Sequence, residues 1–215
     1  MNRHFLGSHF ELPAASYNVM SLITIGIVLP CLDLYVLPTL AKLTKKERGL
    51  TSLQKIVIGD VCSVLTMVIG GLVEGRRRGV AISHGAPDGV APMNALWMAP
   101  QFVFLGLCEM FTIVGHIEFY ITESPAKMKS VGNSLMYLVM AFSIYVGTFV
   151  VNVVKQVTRK HVDWLNDDIN AGRLDYYYFL LGGLAAVNLV YILFCVRGYR
   201  YKVHVKVEDE DIIKP

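Results

Sequence analysis

The fold is decided by residues 93–121, which read MNALWMAPQFVFLGLCEMFTIVGHIEFYI. This is the longest apolar run in the chain, and as a helix it is long enough to cross the roughly 30 Å hydrocarbon core of a bilayer. Glu109 lies near its middle. A charged side chain at the centre of a membrane helix costs about 3 kcal/mol on insertion scales, so such a residue usually holds a proton, a substrate or a buried partner.

The rest of the chain is also too apolar for a typical soluble domain. Of its 215 residues 54% are hydrophobic and 17% are charged, whereas soluble domains carry about 25% charged residues. The formal net charge of +3 does not indicate a nucleic-acid partner. Five segments are apolar enough to span a bilayer as helices, because the backbone must satisfy its own hydrogen bonds there. They are residues 17–40, 56–73, 93–121, 131–154 and 176–196.

These segments predict an all-α membrane protein with a membrane domain over residues 17–198. Residues 1–16 contain no secretory signal and are predicted to be extracytosolic, and residues 199–215 form a predicted cytosolic tail. Lys and Arg are more frequent in the loops after the first and third spans and in the tail, which favours an outside N-terminus and a cytosolic C-terminus. The run Arg76–Arg78 opposes this bias.

Polar residues recur on one side of the third span at steps of three and four: Gln101, Leu105 (the apolar exception), Glu109, Thr112 and His116. We expect this face to line a central site for substrate and protons, with Glu109, Gln101 and Thr112 contacting substrate and Glu109 and His116 relaying protons. The alternative is a structural carboxylate paired with a cation on a neighbouring span. The interiors of the other four spans contain no Lys or Arg, which disfavours that alternative.

Two other segments carry candidate site residues. Tyr137 and Tyr145 belong to a polar stripe on the fourth span, which indicates either helix packing or contact with the same substrate. Asp33 lies between Pro30 and Pro38, and it is either an interfacial acid beside a basic loop or a third proton-relay candidate. Asp60 and Glu74 lie near span ends, where solvation or pairing is expected.

The sequence predicts no metal site, no cofactor and no enzymatic activity. The four cysteines fall inside apolar segments without a C-x-x-C pair, and the stretch from His116 to Glu118 lacks the His-Glu-x-x-His spacing of a zinc helix. Gly-x-Ser-x-Gly and strand-linked phosphate loops are absent. A membrane-embedded hydrolase would rest on Asp33, Glu109 and His116 alone.

Short motifs in a fixed order carry a family resemblance. They are FELPAAS at 10–16, RGLTSLQK at 48–55, Trp97, Pro100-Gln101, Gly106, Glu109, Phe111, Gly115, Glu118-Phe119, Ser124-Pro125, MKS at 128–130, Ser134-Leu135, Trp164, NAGRLD at 170–175 and YRYK at 199–202. With this spacing the chain resembles the C-terminal part of plant nitrate/peptide transporters. These are the plant branch of the proton-dependent oligopeptide transporters in the major facilitator superfamily.

The resemblance implies helices eight to twelve of a twelve-helix transporter, in which two six-helix halves surround a midplane site. Glu109 matches a helix-ten glutamate that contacts substrate in peptide-transporting relatives. The family's Glu-x-x-Glu-Arg proton-coupling motif belongs to helix one and is not found in these 215 residues. We therefore expect a truncated proton-coupled symporter for nitrate, di- or tripeptides or another small solute, which does not transport alone.

The alternative is a non-transporting membrane protein that associates with other membrane helices or with an intact relative. Either way, the resemblance implies a multi-pass protein of the plasma membrane or the vacuolar membrane. Its expected partners are the lipid bilayer and, in the full-length family, a small solute and protons.

Overall fold

The computed structural model describes residues 16–36, 38–39, 42, 50–83, 93–125, 128–159, 163–166 and 172–199. Within these ranges the chain is helical, which confirms the prediction of an all-α membrane protein. The long helices are α1 (Ser16–Cys31), α2 (Ser52–Ser83), α3 (Ala99–Glu123), α4 (Lys129–Thr158) and α5 (Leu174–Gly198). The predicted extracytosolic segment, apart from Ser16, and the predicted cytosolic tail, apart from Tyr199, lie outside the described residues.

Four of these helices are long and apolar enough to cross a membrane: α2, α3 together with the short 3-10 helix before it (Ala95–Met98), α4 and α5. The apolar part of α1, Val19–Cys31, is shorter. Pro30 lies inside α1 and removes a backbone hydrogen bond, and the chain continues as a π-helical turn over Leu32–Val36. The first predicted span is therefore an α-helix of limited length followed by a different helical geometry.

The helix α2 extends beyond the apolar residues 56–73 at both ends. Its start is fixed by a reciprocal capping box. The Gln54 backbone N–H donates to the Thr51 hydroxyl (3.3 Å), and the Thr51 backbone N–H donates to the Gln54 side-chain oxygen (3.0 Å). Lys55 consequently lies in the first turn of the helix. At the other end the helix continues through Arg76–Arg78 to Ser83.

The helix α3 occupies the centre of the packing. It lies along α2, contacts α1 on another side and meets α4 over a shorter length, while α5 packs against α2. Glycines allow the closest approaches. A Cβ added at Gly115 would lie 3.0 Å from the Ile56 backbone nitrogen of α2, and one added at Gly106 would lie 2.6 Å from the Ser21 carbonyl oxygen of α1. Both positions therefore hold backbones in contact.

The helix α4 is largely uncovered by the described residues. Only 6% of the residues in its most apolar stretch are buried, compared with 33% for α2. Large apolar side chains such as Phe142, Ile144 and Phe149 are exposed along it. In a membrane protein such a surface lies against lipid or against other helices.

The glycine contact between α1 and α3 provides a direct test of this packing. We expect Gly106→Ala to lower the free energy of unfolding by about 1–3 kcal/mol, because the added methyl group forces the two backbones apart. The matched control is Gly26→Ala on α1, where an added Cβ has no atom within 4 Å. Thermal unfolding in detergent, followed by circular dichroism, measures both variants. Equal unfolding temperatures for the two variants would contradict the α1–α3 contact.

Candidate functional site

The polar residues of α3 do not share one environment. A Cβ added at Gly70 of α2 would lie 2.8 Å from the Gln101 side-chain nitrogen and 3.1 Å from the Tyr178 ring, so Gln101 is packed where α2, α3 and α5 meet. A Cβ added at Gly59 would lie 3.0 Å from the Thr112 backbone nitrogen. Gln101 and Thr112 therefore both face α2.

A polar cluster joins three helices near His116. The His116 Nδ1 lies 2.7 Å from the Thr112 carbonyl oxygen, which accepts its proton. Asp60 of α2 lies close enough to His116 for electrostatic interaction. The Asn188 side chain of α5 donates to the Asp60 carboxylate at 3.4 Å. His116, a predicted relay residue, is thus grouped with two polar residues that were not included in the predicted site.

A buried ion pair joins α2 to α3. The Lys55 Nζ lies 2.8 Å from the Glu118 Oε2, with the two side chains 6% and 29% exposed. The ion pair that was the alternative interpretation of Glu109 is found instead at Glu118. Sequence reasoning missed this pair because Lys55 lies just outside the apolar segment 56–73. The signal that could have found it is the Thr51-x-x-Gln54 capping box, which places Lys55 within the helix.

Glu109 differs from the other two carboxylates of α3. Glu118 pairs with Lys55, and Glu123 accepts a hydrogen bond from the Tyr199 hydroxyl at 2.8 Å. No residue in the described ranges forms a hydrogen bond or an ion pair with Glu109, which is half-buried. At about 100° per residue, Glu109 lies roughly 80° around the helix from Gln101. Its carboxylate is therefore left available beside the α2–α3 interface.

The remaining candidate residues are not brought into this group. Tyr137 and Tyr145 are exposed on α4, at 62% and 75% of their surface. Asp33 belongs to the π-helical turn Leu32–Val36, and its side chain lies outside the described part of the chain. Among the residues that the structure describes, no group of three or more His, Cys, Asp or Glu side chains could hold a metal ion.

Comparison with known proteins identifies the family. The family model described as the POT family matches residues 1–166. The chain belongs to the POT family. It is 46% identical over 206 residues to NRT1/PTR family 2.13 of Arabidopsis thaliana, which covers 95% of this chain and 33% of that relative. It is 41% identical over 211 residues to NRT1/PTR family 2.12 of the same plant, covering 97% and 35%.

These matches confirm the resemblance to plant nitrate/peptide transporters. A third relative, NRT1/PTR family 5.4 of Arabidopsis thaliana, is 36% identical over 210 residues, covering 96% of this chain and 37% of that relative. The chain spans about a third of the length of these relatives. With its four membrane-capable helices, it is an integral multi-pass membrane protein from a family of solute transporters.

The buried pair gives a second testable expectation. Lys55→Met leaves the partly buried Glu118 carboxylate without its partner, and we expect the free energy of unfolding to fall by about 1–3 kcal/mol. The double variant Lys55→Met/Glu118→Met should recover most of that loss. Arg197→Met at the exposed end of α5 is the control for removing one positive charge. A double variant that loses the full sum of the two single effects would contradict the pairing.

Proposed function

We propose that this chain contributes helices eight to twelve of a proton-coupled symporter, and that Glu109 belongs to its solute and proton site. The observation that carries the proposal is the Glu109 carboxylate, which lies within a membrane-spanning helix and has no partner among the described residues. An intramembrane acid in this situation is a functional residue by default. Membership of a transporter family supports the same assignment.

The solute class follows from the resemblance and from the names of the relatives. Nitrate, di- or tripeptides and other small solutes are the candidates. Gln101, Thr112, Tyr137 and Tyr145 remain proposed substrate contacts, and His116 and Asp33 remain proposed proton-relay residues. Because Gln101 and Thr112 face α2, their contact with solute requires a rearrangement of that interface, which makes Glu109 the strongest candidate of the set.

The five helices are not expected to transport by themselves. A midplane site in this superfamily lies between two halves of the protein, and the large uncovered surface of α4 is consistent with further helices beside it. We propose that the protein is not an enzyme and that it resides in the plasma membrane or the vacuolar membrane. The proposed orientation has the N-terminus outside and the C-terminus in the cytosol.

Uptake into proteoliposomes tests the transport proposal. The chain alone should show no proton-driven uptake of nitrate or dipeptide. Reconstitution with the N-terminal portion of NRT1/PTR family 2.13 should yield uptake, and Glu109→Gln should reduce it at least about tenfold. The matched control is Glu123→Gln, a carboxylate on the same helix that bonds Tyr199. Uptake by the chain alone, or full uptake with Glu109→Gln, would contradict the proposal.

The uncovered α4 surface favours a second candidate function, in which the chain is a non-transporting membrane protein that binds other membrane helices. Placing a photo-crosslinking residue at Phe142 or Phe149, both 67% exposed, tests it directly. This function predicts a crosslinked protein partner when the chain is co-expressed with NRT1/PTR family 2.13. A residue at Met136, which is 6% exposed, is the control. Crosslinks to lipid alone would remove this candidate.

A further inference from the structure

A group of arginines at the end of the apolar part of α2 is not used by the proposed transport site. Arg76, Arg77 and Arg78 follow the apolar segment that ends at residue 73, so they lie at headgroup level in a membrane. Arg77 is fully engaged with Glu74, through Nε to Oε2 at 2.8 Å and Nη2 to Oε1 at 2.7 Å. Arg76 and Arg78 have no such carboxylate partner in the described ranges.

Arg76 is held in position by an aromatic side chain. Its guanidinium carbon lies 4.8 Å from the centre of the Trp97 ring, and both residues are exposed. Stacking on an indole ring uses the face of the guanidinium and leaves the N–H donors at its edge free. Those donors match the oxygens of a phosphate in a forked geometry.

The surroundings of Arg76 add further positive potential. The Arg78 Nε is buried and has no hydrogen-bond acceptor. The helix α3, which continues from the 3-10 helix that contains Trp97, has no acidic residue in its first turn. An opposing acid is Asp175 of α5, whose Cβ lies 4.0 Å from a Cβ added at Gly75. Within the described residues, the three arginines outnumber the two acids Glu74 and Asp175.

The surface beside these arginines is apolar. Leu72 lies one helical turn before Arg76 on the same face and is 60% exposed. Val103 of α3 is also exposed, toward the membrane interior from Trp97. A positively charged site next to an exposed apolar surface suits a molecule that has an anionic headgroup and acyl chains.

We propose that Arg76, stacked on Trp97, binds the phosphate of an anionic phospholipid. The headgroup accepts hydrogen bonds from the Arg76 guanidinium, and the acyl chains lie along the surface that includes Leu72. Arg78 lies on another side of the helix and contributes positive potential only. This site is separate from Glu109 and does not depend on transport by the chain.

Native mass spectrometry of the chain from mixed micelles of phosphatidylglycerol and phosphatidylcholine tests the site. We expect the wild-type chain to retain phosphatidylglycerol preferentially, and Arg76→Gln to reduce that preference about fivefold, the effect of one basic residue at an anionic surface. Arg197→Gln removes the same single charge near the C-terminal end of α5 and should keep the preference. Circular dichroism verifies that each variant remains helical.

A further variant distinguishes hydrogen bonding by the planar guanidinium from general charge attraction. Arg76→Lys keeps the charge but loses the planar fork, and should give an intermediate preference. Equal lipid retention by the wild type and Arg76→Gln would overturn the proposal, as would an equal loss with Arg197→Gln. If inorganic phosphate raises the unfolding temperature of the wild type and phosphatidylglycerol does not, the site binds a free anion and the lipid assignment is wrong.

Discussion

The close approach of α2 and α3 is the constraint on which the other contacts depend. Gly59 on α2 and Gly115 on α3 each place one helix backbone directly against the other. The Lys55–Glu118 pair links the same two helices near the start of α2. Since α1 packs against α3 and α5 packs against α2, a change in the α2–α3 distance would move both outer helices.

This contact determines what the polar residues of α3 can do. Polar side chains in hydrocarbon require partners within the protein. His116 meets this requirement by bonding the Thr112 carbonyl, and Asp60 and Asn188 extend the cluster to α2 and α5. Gln101 is packed against Gly70 of α2. Glu109 lies beside that interface and obtains no described partner there. Among the three carboxylates of α3, Glu109 is therefore the one without a described partner, which supports its proposed role with a solute or a proton.

The sequence predicted the helical membrane fold, because long apolar runs permit little else in a bilayer. The sequence alone could not show which polar residues of α3 contact α2 and which lie beside that contact. A spacing of three and four residues defines a face about 80° wide, and such a face includes both the contact with α2 and the surface beside it. Only the position of the neighbouring helix distinguishes Thr112 from Glu109.

The other differences between the sequence predictions and the structure also have local causes. Lys55 falls just before the predicted second span because hydropathy marks where apolar residues begin, whereas a capping box marks where the helix begins. Asp60 was expected to be solvated or paired near a span end, and its neighbours Asn188 and His116 are distant in sequence. Tyr137 and Tyr145, from the polar stripe of the fourth span, remain exposed on α4 because few described residues pack on that helix.

The rotation of α3 relative to α2 is the central claim, and native cysteines allow a direct measurement. The Cys108 side chain faces α2, where it interacts with Ser63, the residue next to Cys62, while Glu109, the residue after Cys108, is turned by about 100°. Reaction with the fluorogenic bis-thiol reagent dibromobimane should bridge Cys62 and Cys108 in the wild type. It should not bridge Cys62 to the introduced thiol in Cys108→Ser/Glu109→Cys. Bridging in that double variant, with none in the wild type, would contradict the arrangement that leaves Glu109 available.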